Sequence, residues 1–152
     1  MGFNIVLVEP EIPTNTGNIG RLSLASGSAL HLVKPFGFEL DDKRLKRAGL
    51  DYWKHISINI YENIEDFYLK NKDVNMVYFS SSATKNYTTI NFQDNMFFLF
   101  GKESVGLSKK ITVKNSEKLY RIPIYSKHVR SLNLANAVSI VVYEALRNLK
   151  IE

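Results

Sequence analysis

Short apolar runs alternate along the chain with segments whose apolar residues recur every three or four positions. Strand-like runs fall at residues 3–8, 30–33, 56–61, 76–79, 96–100 and 119–124. Helix-like segments lie between and after them, near 17–26, 42–48, 64–71, 107–113 and 132–149. This alternation predicts an α/β fold, a mainly parallel sheet with helices on both faces. The runs 5–8 and 97–100 are continuously apolar, as strands covered on both sides are, so they are expected at the centre of the sheet.

Capping chemistry refines the picture in two places. Asp41 and Asp42 precede a short helix as N-cap and as negative charge at the positive end of its dipole, and Gly49 suits its C-terminal cap. The final helix carries two apolar stripes, Leu134, Val138, Val141, Ala145, Leu149 and Ala135, Val142, Leu146, with Ile140 besides. Little of its circumference is polar, which fits equally a helix shared with a second subunit and a central helix of a monomer. No repeat, low-complexity tract or linker interrupts the chain, so residues 1–152 are expected to form a single domain.

A chain of 152 residues, 45% hydrophobic and 12% aromatic, can bury a substantial core. It contains no cysteine, which excludes disulfides, thiolate metal sites and thiol nucleophiles and makes a reducing cytoplasm the natural expectation. The first ten residues lack a basic flank and are interrupted by Glu9, so they read as a strand rather than a signal peptide or membrane span. Val6 stands where a myristoylation motif wants Ser or Thr. The net charge of +5 is compatible with a polyanionic partner but decides little alone. Its distribution says more: Lys43, Arg44, Lys46 and Arg47 fall within five residues, and Lys127, His128 and Arg130 precede Ser131-Leu132-Asn133.

Three polar segments following strands carry the candidate chemistry: residues 15–21, 100–107 and 121–139. Gly101 and Gly106 have phosphate-loop spacing, but Leu107 occupies the position of the required lysine, and no Gly-x-Gly-x-x-Gly follows the first strand. Ser131 lacks an evident His-Asp relay, since His31 lies in a strand-like run, His55 in a loop, and only His128 nearby. Arg21 points either to solvent or to an anion. Asn15, Thr16 and Asn18 beside it suit capping and turns. Asn133, Asn136, Ser139 and Tyr143 share one face of the last helix through three- and four-residue steps.

Taken together, Glu9-Pro10-Glu11-Ile12-Pro13-x-Asn15-Thr16-Gly17-Asn18-Ile19-x-Arg21, the segment 41–52, Phe100-Gly101-x-Glu103-x-x-Gly106-Leu107 and Ser131-x-Asn133-Leu134-x-Asn136-Ala137-Val138-Ser139 resemble the SPOUT superfamily of RNA methyltransferases. Within it, the short chain and Asp41-Asp42-Lys43-Arg44-Leu45 resemble members that methylate the ribose 2′-hydroxyl of the wobble cytidine or uridine of tRNA. The resemblance implies a C-terminal deep trefoil knot, a homodimer, S-adenosylmethionine as methyl donor and no metal. It implies a donor pocket at Phe79, Ser80, Gly101, Glu103, Gly106, Ile122, Ser131 and Leu132, with Arg21, Ser131 and Asn133 as catalytic residues. Asn15, Asn18, Arg21, Lys43, Arg44, Lys46, Arg47, Lys127 and Arg130 would face RNA, and Asn136 and Tyr143 the site or the dimer interface. Another tRNA position, ribosomal RNA as substrate, or a catalytically silent RNA-binding paralogue remain alternatives, although the presence of Arg21, Ser131 and Asn133 argues against the last.

Overall fold

The computed structural model describes residues 2–149. Its frame is a seven-stranded sheet: β1 (Asn4–Val8), β2 (Ala29–Val33), β3 (Ile58–Tyr61), β4 (Met76–Phe79), β5 (Lys85–Asn86), β6 (Phe97–Phe100) and β7 (Leu119–Arg121), in the order β3-β2-β1-β6-β4-β7-β5. Every pairing in it is parallel. All the strands therefore deliver their carboxyl ends to one edge, where open α/β sheets bind ligands. β6 is buried along its whole length and β1 along all but its first residue, and the two pair with each other, as their unbroken apolar composition predicts.

Alternate side chains enter two cores, the signature of strands covered on both faces. On one face Ile5, Leu7, Leu30, Leu32, Phe98 and Phe100 pack with Ile19 of α1 (Pro13–Ala25) and with Val138, Val141, Val142 and Ala145 of α5 (Leu134–Leu149). On the other, Val6, Val8, Val33, Tyr78 and Leu99 pack with Phe67 of α3 (Ile64–Lys70) and Ile111 of α4 (Lys109–Lys114). The short α2 (Lys43–Gly49) and the 3-10 turn Leu50–His55 lie against α1. The opposite side of α5 leaves Ile140 and Tyr143 exposed.

Several boundaries differ from the sequence reading. α1 begins at Pro13, so Asn15, Thr16 and Gly17 are helical rather than turn residues. Proline at a first helical position loses no hydrogen bond and presets φ. Gly20 sits inside this helix because a Cβ there would lie 2.9 Å from both the Trp53 ring and the Ile56 Cδ1, so its absence permits close packing. Gly49 does not end the chain's helical course, which tightens directly into the 3-10 turn. The strand expected over 119–124 ends at Arg121, and Ile122 to Ile124 run on as irregular chain.

His31 of β2 is buried at 5% exposure and has a polar network of its own. Its Nδ1 lies 2.8 Å from the Tyr61 hydroxyl and its Nε2 2.9 Å from Asn4 Oδ1. Asn71 Nδ2 donates to Tyr61, and Asn4 Nδ2 donates to the Asn95 carbonyl. A neutral imidazole, accepting from Tyr61 and donating to Asn4, satisfies this chain of partners, whereas a second ring proton would oppose Tyr61. Burial pushes the His31 pKa down from 6.5 to about 4. Because the unfolded chain takes up that proton first, His31 contributes stability that is present above pH 6.5 and lost as the pH falls from 6.5 towards 4. The expected slope is about 1.4 kcal/mol per pH unit, reaching on the order of 3 kcal/mol. Urea unfolding at several pH values should show this slope in the native protein and not in His31→Gln; equal slopes would contradict the network's role.

Candidate active site

The three loops leaving β4, β6 and β7, which are adjacent in space, enclose a cavity of about 550 Å³ at the carboxyl edge of the sheet. Phe79 to Ser81 form one wall, the 100–106 loop a second, and Ile122, Ile124 and the 130–134 segment a third. Ile12 and Asn15 at the start of α1 complete it. The volume falls within the range of small-molecule sites, and walls that mix apolar residues such as Phe79, Ile122 and Leu132 with polar ones such as Ser80, Ser131 and Asn133 suit a nucleoside-sized ligand.

Gly101 makes the tight second loop possible. A Cβ built there would stand 2.0 Å from the Leu107 amide nitrogen and 2.1 Å from the Gly106 carbonyl carbon, both backbone atoms. The Lys102–Gly106 bridge and the Gly106 amide donating to the Lys102 carbonyl at 2.8 Å fold this loop back on itself.

Two carboxylates lock the second loop to the first helix. Glu103 accepts from the Glu11 amide at 3.0 Å and from the Ile12 amide, so it supplies the start of α1 with the negative partner that the N-cap residue Ile12 cannot provide. Glu11 reciprocates by accepting from the Ser104 amide at 2.8 Å. That bond holds the Glu11 carboxyl below its ordinary pKa. Glu103 thus borders the cavity with its charge directed at the helix. The cue in the sequence is Pro13 at a helix start with no capping side chain at Ile12.

Asn133 has a comparable double duty. Its Oδ1 accepts from the Asn136 amide at the first turn of α5, and its Nδ2 donates to Asn15 Oδ1 of α1 at 3.1 Å. The third loop and the first helix are thereby held in register across the cavity. Ser131 is exposed on the cavity wall.

All eight donor-pocket residues expected from the sequence, Phe79, Ser80, Gly101, Glu103, Gly106, Ile122, Ser131 and Leu132, border this one cavity, together with Asn15, Arg130 and Asn133. Arg21 does not border it. Its side chain is exposed and its guanidinium carbon lies 5.3 Å from the centre of the Tyr52 ring. Asn18, Lys127, His128, Asn136 and Tyr143 are also exposed and outside the lining. Lys43, Arg44, Lys46 and Arg47 project from α2, where the Arg44 guanidinium forks onto the Asp42 carboxylate at 3.0 and 3.2 Å. Ile12 and Ser81 line the cavity from outside the three segments singled out in the sequence, and Phe100, Lys102, Ser104, Val105, Ile124, Leu134 and Ala137 line it from within them without having been assigned to the site.

A model of the SpoU rRNA methylase family matches residues 2–143. The chain belongs to that family. Among its relatives, a tRNA (cytidine(34)-2′-O)-methyltransferase of Methylovorus glucosotrophus is 43% identical over 146 residues, covering 95% of this chain and 94% of its own. A solved structure concerned with the 2-OH methylation of C/U34 on tRNA superposes on this SpoU-family chain with a TM-score of 0.94 at 37% identity, covering 99% and 97% of the two chains. An AdoMet-bound rRNA methyltransferase of Sinorhizobium meliloti superposes with a TM-score of 0.86 at 28% identity, covering 97% of this chain and 57% of its own. The parallel sheet with its covered faces agrees with these two structures, as the SPOUT resemblance implies. Among the described residues no group of three metal-ligating side chains converges, and no helix is long and apolar enough to cross a membrane.

Proposed function

We propose that this protein transfers the methyl group of S-adenosylmethionine to the ribose 2′-hydroxyl of cytidine or uridine 34, the wobble nucleotide of tRNA. The observation that carries the reading is the convergence of all eight expected donor residues on one cavity at the carboxyl edge of the sheet. The donor, when bound, supplies an electrophilic sulfonium methyl; a bond forms from the ribose oxygen to that carbon, the carbon–sulfur pair stays on the departing thioether, and the hydroxyl proton passes to water. The chain supplies position rather than covalent chemistry. The 100–106 loop, braced by Glu11 and Glu103, and the 130–134 segment, braced by Asn133, fix the donor against the mouth where the ribose enters.

Arg21 is assigned to the phosphate beside the reacting ribose, where a permanently charged guanidinium orients the substrate and stabilises charge developing on its oxygen. Since Arg21 stands outside the cavity of its own chain, we place it in the cavity of a second copy. The exposed Ile140 and Tyr143 of α5, with Leu132 at the cavity, give such a dimer an apolar contact surface, and Asn136 shares the exposed side of α5. The segment that follows β7 is the threaded part of the family's trefoil knot in this reading. Lys43, Lys46, Arg47, Lys127 and Arg130 hold tRNA phosphates, and a tRNA substrate supports a cytoplasmic location. Incubating the protein with tRNA and methyl-labelled S-adenosylmethionine should move label into the tRNA; unlabelled tRNA from an enzyme that is folded would overturn the reading.

A further inference from the structure

A second cavity, of about 410 Å³, opens beyond the carboxyl ends of β1 and β2. It shares Lys102 and Gly106 with the donor cavity, so the two lie on either side of the 101–107 loop, on the same edge of the sheet. Four lysines from three chain segments converge on it: Lys34 after β2, Lys102 after β6, and Lys110 and Lys114 on α4. Only two carboxylates, Glu9 and Glu65, line the same space. Among the described residues, Lys102, Lys110 and Lys114 have no carboxylate within 4.0 Å, and Lys34 meets only the largely exposed Glu62 at 3.4 Å.

We propose that this lysine-lined cavity is a docking site for the phosphodiester backbone of the RNA strand whose ribose occupies the donor cavity. The inference rests on the methyl-transfer reading of the first cavity. Four lysines against two carboxylates give the lining an excess of positive charge that favours an anion, and a strand crossing the donor cavity brings a continuous row of anions along the same edge. The contact is with backbone and not with bases. Two of the cavity's polar side chains are already committed to helix starts, Asn63 accepting from the Asp66 amide and Ser108 from the Ile111 amide, whereas Lys102, Lys110 and Lys114 pair with no carboxylate among the described residues. Such contacts supply affinity and register without sequence preference.

The test is the double variant Lys110→Ala/Lys114→Ala of the full chain, two exposed residues on α4. Its affinity for tRNA should fall roughly tenfold at low salt, and the slope of log affinity against log salt should become shallower by about one to two, as expected for two lost contacts to a single strand. Lys110→Arg/Lys114→Arg should keep both affinity and slope. Unchanged S-adenosylmethionine binding by both variants shows that the fold and the donor cavity survive. If the native protein methylates tRNA while the alanine variant binds it with native affinity and slope, the cavity is a solvated rim and the proposal fails alone. If the native protein neither binds nor methylates tRNA, the methyl-transfer reading fails and takes this inference with it.

Discussion

Arg21→Ala is expected to lower methyl transfer to tRNA by roughly 100- to 1000-fold, the usual cost of removing one preorganised electrostatic group from a reacting centre. S-adenosylmethionine binding should stay within about twofold of native, because Arg21 is assigned to the substrate phosphate and not to the donor. The replacement should also leave stability nearly untouched. Arg21 is exposed and its contact is a cation–π approach to Tyr52, itself 44% exposed, an arrangement that contributes on the order of 0.5–1 kcal/mol. Near-native turnover would remove Arg21 from the reaction.

Gly101→Ala is expected to abolish measurable donor binding while leaving the sheet folded. The added methyl would have to displace the backbone at Gly106 and Leu107, and no rotamer change relieves a clash between a Cβ and main-chain atoms. Overpacking of this kind costs about 1–3 kcal/mol, a fall of several degrees in Tm for a chain of this size. Calorimetry with S-adenosylmethionine and a thermal melt check both parts. Retained donor affinity would place the ligand away from the 100–106 loop.

The two variants together expose the subunit arrangement. If Arg21 serves the neighbouring cavity, a dimer of one Arg21→Ala chain with one Gly101→Ala chain holds one complete site. Mixing equal amounts should restore roughly a quarter of native activity, since half the dimers are mixed and each has one working site of two. Light scattering should give twice the chain mass. Two inactive variants that stay inactive when mixed and exchanged would contradict the shared site.

Much of the scaffold is legible because it depends on local pattern. Runs such as Phe97–Phe100 and Ile5–Val8 are apolar at every position, and only a strand covered twice buries them all. The motifs of the 79–81, 100–107 and 122–134 segments are legible, and the eight residues expected to hold the donor line one cavity. What the chain conceals lies in pairings between distant segments. Glu11 and Glu103 serve each other's loops across 92 positions, and neither local sequence indicates the other. Residues 15–17 resemble a turn because Pro10, Pro13 and Gly17 are strong local punctuation, but Glu103 and the close approach of Trp53 to Gly20 make the segment a helix. β5 is the polar pair Lys85-Asn86 and becomes a strand only through its ladder with β7. The second cavity, lined by lysines, is equally hidden, since Lys34, Lys102 and Lys110 form no charge run and meet only at the sheet edge.

The measurement closest to the central claim is mass spectrometry of tRNA lacking the wobble modification, digested after incubation with the native protein and S-adenosylmethionine. The expected result is one 2′-O-methylated cytidine or uridine, located at position 34, absent without the donor and formed roughly 100- to 1000-fold more slowly by the Arg21→Ala variant. A methyl group appearing only on a base, or on the ribose of another nucleotide, would contradict the account.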